Sequence, residues 1–218
     1  RKGGTGELRQ AEAAFAQVEA LGRADGALNA ARVYLREGRL DEAAVALNRA
    51  GAFDPPAPAW SLLYFGGLVN AQYGQLEAAI ENFTRLVETD FSSGEQRLDF
   101  SRDYRLLDSL AEALTTHARD ERTDPEKRDE FLGRARDVYL QALVLDPERA
   151  SSHYGLAQVY ALLGDTERSE EQYRLHDRYR IDDNARDRAV AAARRSDAAA
   201  DHAAEPVVIY DLQRTAGP

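Results

Sequence analysis

Apolar residues recur along this chain at intervals of three and four. One stripe reads Leu28, Ala31, Tyr34 and Leu35, and a second reads Leu63, Gly67 and Leu68. A third reads Leu107, Leu110, Ala111 and Leu114, and a fourth Tyr154, Ala157, Tyr160 and Leu163. This spacing predicts amphipathic helices, and the first 195 residues show no sustained alternation of the kind a strand needs. After each stripe comes a second, self-similar pattern. Gly6-x-Leu8-x-x-Ala11-x-x-x-Phe15 returns as Gly38-x-Leu40-x-x-Ala43-x-x-x-Leu47 and as Gly74-x-Leu76-x-x-Ala79-x-x-x-Phe83. Ala135-x-x-x-Tyr139 carries it without the glycine, and Gly164-x-Thr166-x-x-Ser169-x-x-x-Tyr173 closes the series. The small residues stand 32, 36, 56 and 34 residues apart. A glycine ends one helix where a left-handed residue costs least, and the small and large positions four apart share one face of the next. The small residue admits a neighbouring helix and the large one fills the space beside it. The repeating unit is therefore a helical hairpin.

Tyr154-x-x-Ala157-x-x-Tyr160 with Gly164 and Tyr173, and the prolines of Asp54-Pro55 and Asp146-Pro147, resemble the tetratricopeptide-repeat family over residues 6–181. The resemblance implies an all-α, right-handed superhelical solenoid of antiparallel helix pairs. Its expected divisions are a half repeat over 6–23 and repeats over 24–57, 60–93, 101–149 and 150–181. The first copy has only its second helix and no initiating Met precedes it, so the chain reads as a piece of a longer protein. The 56-residue interval exceeds one repeat by about 22 residues. About seven of these fall in the linker around Asp90 to Ser101 and about 15 between Thr116 and Glu130. That inserted stretch is too charged for a buried element, and Asp124-Pro125 reads as an N-cap followed by a proline in the first turn. Both helices of the third complete repeat are expected to lengthen into a protruding hairpin over 116–130. Asp182, Asp183 and Asn184 are expected to cap a closing helix over 183–195, with a charged outer face. Residues 196–218 form a tail whose Val207 to Leu212 portion is extended in character. It either packs into a groove of the array or pairs outside the fragment.

Composition narrows the chemistry. The 218 residues carry 38 acidic and 28 basic side chains, for a net charge of −10, with Lys only at positions 2 and 127. Nucleic acid is an unsuited partner, because phosphate binding needs clustered cations. No Cys is present, which excludes disulfides, thiolate metal sites, Cys nucleophiles and attached haem. No apolar run approaches the ~20 residues of a membrane span, and no signal-peptide core is visible. There is no Gly-rich phosphate loop, nucleophile elbow or His-Glu-x-x-His. His117, His153, His176 and His202 are isolated and expected on solvated helix surfaces. Asp182, Asp183, Asn184 and Asp187 lack the glycine and bidentate glutamate of a calcium loop and suit helix capping. Glu77 with Glu81, and Glu167 with Glu170 and Glu171, suit ordinary intrahelical ion pairs. Neither catalysis nor a metal or other cofactor is expected.

What remains is surface. Resemblance to the repeat family implies a concave groove lined by the first helix of each pair, open to a peptide or partner segment. Transferred by register, the groove positions are Leu28 and Arg32, Tyr64 and Leu68, Arg105 and Ser109, then Tyr154 and Gln158. Arg32, Tyr64, Leu68, Arg105, Tyr154 and Gln158 form the expected partner site, with Tyr64, Arg105 and Tyr154 as anchors of the types enriched at hot spots. Simple packing between repeats accounts equally for Tyr64 and Tyr154. The Lys and Asn of carboxylate-capturing family members are absent; Leu28, Arg32 and Phe65, with Arg102 and Arg105, stand there, and the two arginines still suit an acidic segment. The ending from Asp182 through His202 to Arg214 is also similar to that of bacterial repeat proteins carrying c-type haem motifs upstream. That likeness implies an alternative, a docking arm of a larger exported redox protein, and the absence of Cys agrees with export. Self-association through an exposed edge is a third reading.

Overall fold

A computed structural model of the chain describes residues 5–91, 98–120, 124–180 and 192. Among the described residues all regular structure is helical. The order is α1 (Thr5–Ala20), α2 (Ala24–Arg36), α3 (Leu40–Ala52), α4 (Ala59–Gln72), α5 (Leu76–Glu88), α6 (Tyr104–Arg119), α7 (Pro125–Leu145), α8 (Ala150–Leu162) and α9 (Thr166–Tyr179). A 3-10 turn, Phe100–Arg102, precedes α6. These helices form one compact unit ending at Tyr179; Arg180–Pro218 is a second unit. The expected closing helix over 183–195 and the tail with Val207 to Leu212 lie outside the described residues, apart from residue 192.

The repeated small residues sit where paired helices cross. Ala31, Gly67, Ala111 and Ala157 of the first helices are buried, as are Ala43, Ala79, Ala135 and Ser169 of the second. In the last pair the contact is a hydrogen bond, the Ser169 hydroxyl donating to the Ala157 carbonyl at 2.9 Å. In the second pair a Cβ on residue 67 would lie 2.4 Å from the Phe83 ring, so only glycine fits above that fully buried side chain. Each crossing removes apolar surface from water on both helices, which is the main favourable term in such a fold.

The hairpin turns follow from glycine conformation. Gly38, Gly74 and Gly164 have φ of 73°, 74° and 81°, and the amide after each bonds back to the carbonyl five residues earlier, as Arg39 N–H does to Tyr34 O at 2.9 Å. That is the Schellman closure, which turns the chain through a left-handed residue. The third pair has no such glycine. There α6 runs 16 residues and α7 runs 21, against 13 and 14 for α8 and α9. Asp124 accepts from the Glu126 amide at 2.9 Å and Pro125 opens α7. The lengthened part is packed near its base: Ala118 is 2% exposed and His117 meets Phe131 edge-on at 4.5 Å. Residues 121–123, between the two helices, lie outside the described residues. Phe100, in the turn before α6, sits 5.5 Å from Trp60 and 5.8 Å from Phe91, tying the incoming linker to α4 and α5.

Two local expectations fail. Tyr154 and Leu163 belong to the apolar stripe of α8 by spacing, yet they are 47% and 37% exposed. The buried face of α8 is instead made by His153, Leu156, Ala157, Val159 and Tyr160. His153 is thus not a surface residue but 5% exposed. Its Nε2–H donates to the Pro147 carbonyl at 2.9 Å, Nδ1 faces the Gln172 side-chain amide at 2.7 Å, and the ring stacks on Tyr179. A carbonyl oxygen only accepts, which fixes the proton on Nε2. At the other end, Ala11, Phe15 and Val18 of α1 are half-buried, whereas their register counterparts Ala79, Phe83 and Leu86 in α5 are buried. Among the described residues no first helix covers that face of α1. The helix is held from its other side by Arg49 on Glu19 at 2.7 Å, by Arg39 on Glu12, and by Gly26 against the backbone of Phe15 and Glu19.

Close approach makes an opposed pair of predictions. A Cβ on residue 155 would lie 2.2 Å from the buried Tyr139 ring, whereas one on residue 133, inside α7, meets nothing within 4 Å. Gly155→Ala is expected to destabilise by about 1–3 kcal/mol through overpacking, and Gly133→Ala to stabilise by about 0.5–1 kcal/mol through helix propensity. Urea denaturation measures both.

Candidate functional site

Successive first helices approach one another along their backbones, α2 with α4, α4 with α6, and α6 with α8, while the second helices do not, α1 and α3 being joined instead by the Arg49–Glu19 ion pair. The first helices therefore form the inner layer of the described array, and the side chains they project there are the candidate surface.

Between α6 and α8 this layer opens into a cavity of about 370 Å³. It collects Tyr154 and Gln158 with Asp108, Glu112, Arg119 and His176. Tyr154 is steadied from α9 by Tyr173, ring centroids 6.0 Å apart, and by His176 at 5.1 Å. The Nδ1–H of His176 donates to the Ala150 carbonyl at 2.9 Å, which fixes that ring against the start of α8. Arg119 reaches across from α6 to donate to the Gln158 side chain.

Asp108 joins the third repeat to the fourth. Its carboxylate accepts from Arg149 Nε at 2.6 Å, from Ser151 Oγ at 2.9 Å and from Ser152 Oγ at 2.5 Å. Its side chain is 15% exposed, and the Arg149 guanidinium lies 4.3 Å above the Tyr104 ring. Charge-assisted bonds at this burial are stronger than their solvated equivalents. The start of α8 is thereby fixed against α6.

The other expected residues fall at the two earlier junctions. Arg32 hydrogen-bonds Asn29 at 3.1 Å and lies 5.5 Å over the Phe65 ring, pointing from α2 to α4. Tyr64 packs edge-on against Phe65 at 5.3 Å and 6.4 Å from Phe83. Burial pushes its phenol above the ordinary range, Asp103 adds to the rise, and Arg105 across on α6 opposes it. Leu68 packs into the hydrophobic clusters on both sides of α4. Arg105 lines a different cavity, about 440 Å³, with Tyr104 and the preceding Leu98, Asp99, Phe100, Arg102 and Asp103, and is not brought together with Tyr154 and Gln158. Ser109 turns its hydroxyl back to the Arg105 carbonyl at 3.0 Å.

Asp108, Glu112 and Arg119 are the residues sequence reasoning missed. The signal was present: counting from Ala111, the counterpart of Ala31, Gly67 and Ala157, the positions matching Tyr154 and Gln158 are Asp108 and Glu112. A further cavity, about 730 Å³, lies at the hairpin ends between Gly74 to Ala78 and His117, Asp120, Asp124, Lys127 and Phe131. Among the described residues no three His, Cys, Asp or Glu side chains are grouped to hold a metal, and no helix is long and apolar enough to cross a membrane.

Asp108→Asn removes a charged acceptor from three donors, and an expected loss of about 1–3 kcal/mol follows. Asp137→Asn, which breaks only the exposed pair with Arg136, is expected to stay within about 0.5 kcal/mol. Thermal and urea unfolding of the two variants side by side test the difference.

Residues 150–175 match the tetratricopeptide-repeat family model. No curated protein matches the chain. Among solved structures it is similar to MamA, with 13% identity, 80% of this chain and 89% of that one covered and a TM-score of 0.61. It is similar to YrrB, described as a tetratricopeptide-repeat protein with an unusual peptide-binding site, at 19% identity, 81% and 80% coverage and a TM-score of 0.60. A thermophilic tetratricopeptide-repeat protein of Thermus thermophilus aligns at 24% identity, 72% and 74% coverage and a TM-score of 0.57. With the repeated crossings, the Schellman turns and the layered first helices already in place, α8 and α9 form a tetratricopeptide repeat and the chain is a helical-repeat protein of tetratricopeptide-repeat fold.

Proposed function

We propose that the chain is a non-enzymatic scaffold that holds a protein or peptide segment along the layer formed by α2, α4, α6 and α8. The observation that carries this reading is the cavity between α6 and α8, where Tyr154 stands 47% exposed beside Gln158 although its ring is fixed by Tyr173 and His176. A held, half-exposed aromatic supplies contact area at low entropic cost. Tyr64, Leu68, Arg32 and Arg105 extend the same layer toward α2. The description of YrrB as peptide-binding supports the reading by analogy of fold.

The test is capture from an extract of the source organism on immobilised native chain and on a Tyr64→Ala, Arg105→Glu, Tyr154→Ala variant shown by circular dichroism to keep its helices. A protein held by the native chain and lost by the variant is expected. The same proteins on both, or none on either, would overturn the reading.

A further inference from the structure

The charge of the array is layered. Of the second helices, α1, α3, α5 and α9 each carry more carboxylates than basic groups, and α7 carries equal numbers. In the first helices the balance reverses. They hold Arg32, Arg36, Arg105 and Arg119, and two of their three carboxylates are matched by arginines from outside the helices: Asp25 by Arg23 at 2.8 Å and Asp108 by Arg149 at 2.6 Å. The chain's net charge of −10 is therefore carried away from the inner layer.

Two of those arginines stand on neutral neighbours at junctions between successive first helices, and a third stands in the first turn of α6. Arg32 lies over Phe65 at the α2–α4 junction, and Arg119 donates to Gln158 at the α6–α8 junction. Arg105 lines the cavity between the linker and the start of α6, and the Asp103 carboxylate beside it is engaged in capping the amides of Arg105 and Leu106. A guanidinium on a neutral partner keeps its charge uncompensated and its remaining N–H donors available, the state that recognises a carboxylate.

We propose that the segment held by the first helices is acidic, with carboxylates at both ends of its contact with α6 and a neutral or apolar centre. The inference rests on the scaffold reading above. The spacing follows from the helix: Arg105 and Arg119 are fourteen residues apart, about 21 Å at 1.5 Å per residue, which an extended segment spans in about six residues. The neutral centre follows from Glu112, midway between the two arginines and in the cavity with Tyr154, where a carboxylate on the ligand meets repulsion and an apolar side chain meets a ring.

The test is fluorescence anisotropy of the full chain with a fluorescein-labelled peptide that has two glutamates at each end of a Leu-Ala-Tyr-Ala centre, beside its counterpart with lysine for glutamate. The acidic peptide is expected to bind the more tightly, by at least about tenfold, and to weaken as salt rises. Arg105→Glu and Arg119→Glu are each expected to weaken it about tenfold or more, Glu112→Gln to tighten it several-fold, and Arg128→Glu on α7 to change it little. Binding of both peptides alike, lost in the Tyr64→Ala, Tyr154→Ala variant, would overturn the charge inference and leave the scaffold reading standing. Binding of neither would overturn both. Acidic-peptide binding indifferent to the two arginine reversals would overturn the assignment to this layer.

Discussion

Every other feature of the array depends on the close crossing of a small residue on a small residue inside each helix pair. Ala31 and Ala43, Gly67 and Ala79, Ala111 and Ala135, and Ala157 and Ser169 are all buried, Ser169 bonds the Ala157 carbonyl, and the larger side chains beside them, Leu47, Phe83 and Tyr139, are enclosed. Because that contact recurs in one register, the helices of each pair present the same faces each time. The first helices meet one another and the second helices face away. A surface follows from a packing rule.

The chemistry of that surface is set by side chains that packing does not need. Asp108 is spent on the junction between the third and fourth repeats, where three donors from the start of α8 converge on it. Arg32 and Arg119 meet neutral partners instead. The difference separates a residue that builds the groove from residues able to read a ligand in it.

The fold class was legible because it rests on periodicity: glycine at the turn, small and large residues four apart, and apolar stripes at helical spacing all describe local geometry. Legibility failed where tertiary context decides. Tyr154 and Leu163 obey the stripe but the helix around them is enclosed on another face, and the buried His153 ring is satisfied by Pro147 in the preceding turn and by Gln172 on the next helix. Across the long third interval the register of α6 is not carried by sequence spacing alone. Arg105 starts the helix, while Asp108 and Glu112 occupy the register of Tyr154 and Gln158. Anchoring the count on Ala111 recovers them, and the ion pairing that separates Asp108 from Glu112 needed the structure.

The central claim is that the layer of first helices is the binding surface. Backbone amide shifts of the isotopically labelled chain, followed by nuclear magnetic resonance as the two-ended acidic peptide is added, test it most directly. The account predicts changes concentrated on α4, α6 and α8, with Leu68, Glu112, Gly155 and Gln158 among the most affected. Changes concentrated on α3, α5, α7 and α9 would contradict it.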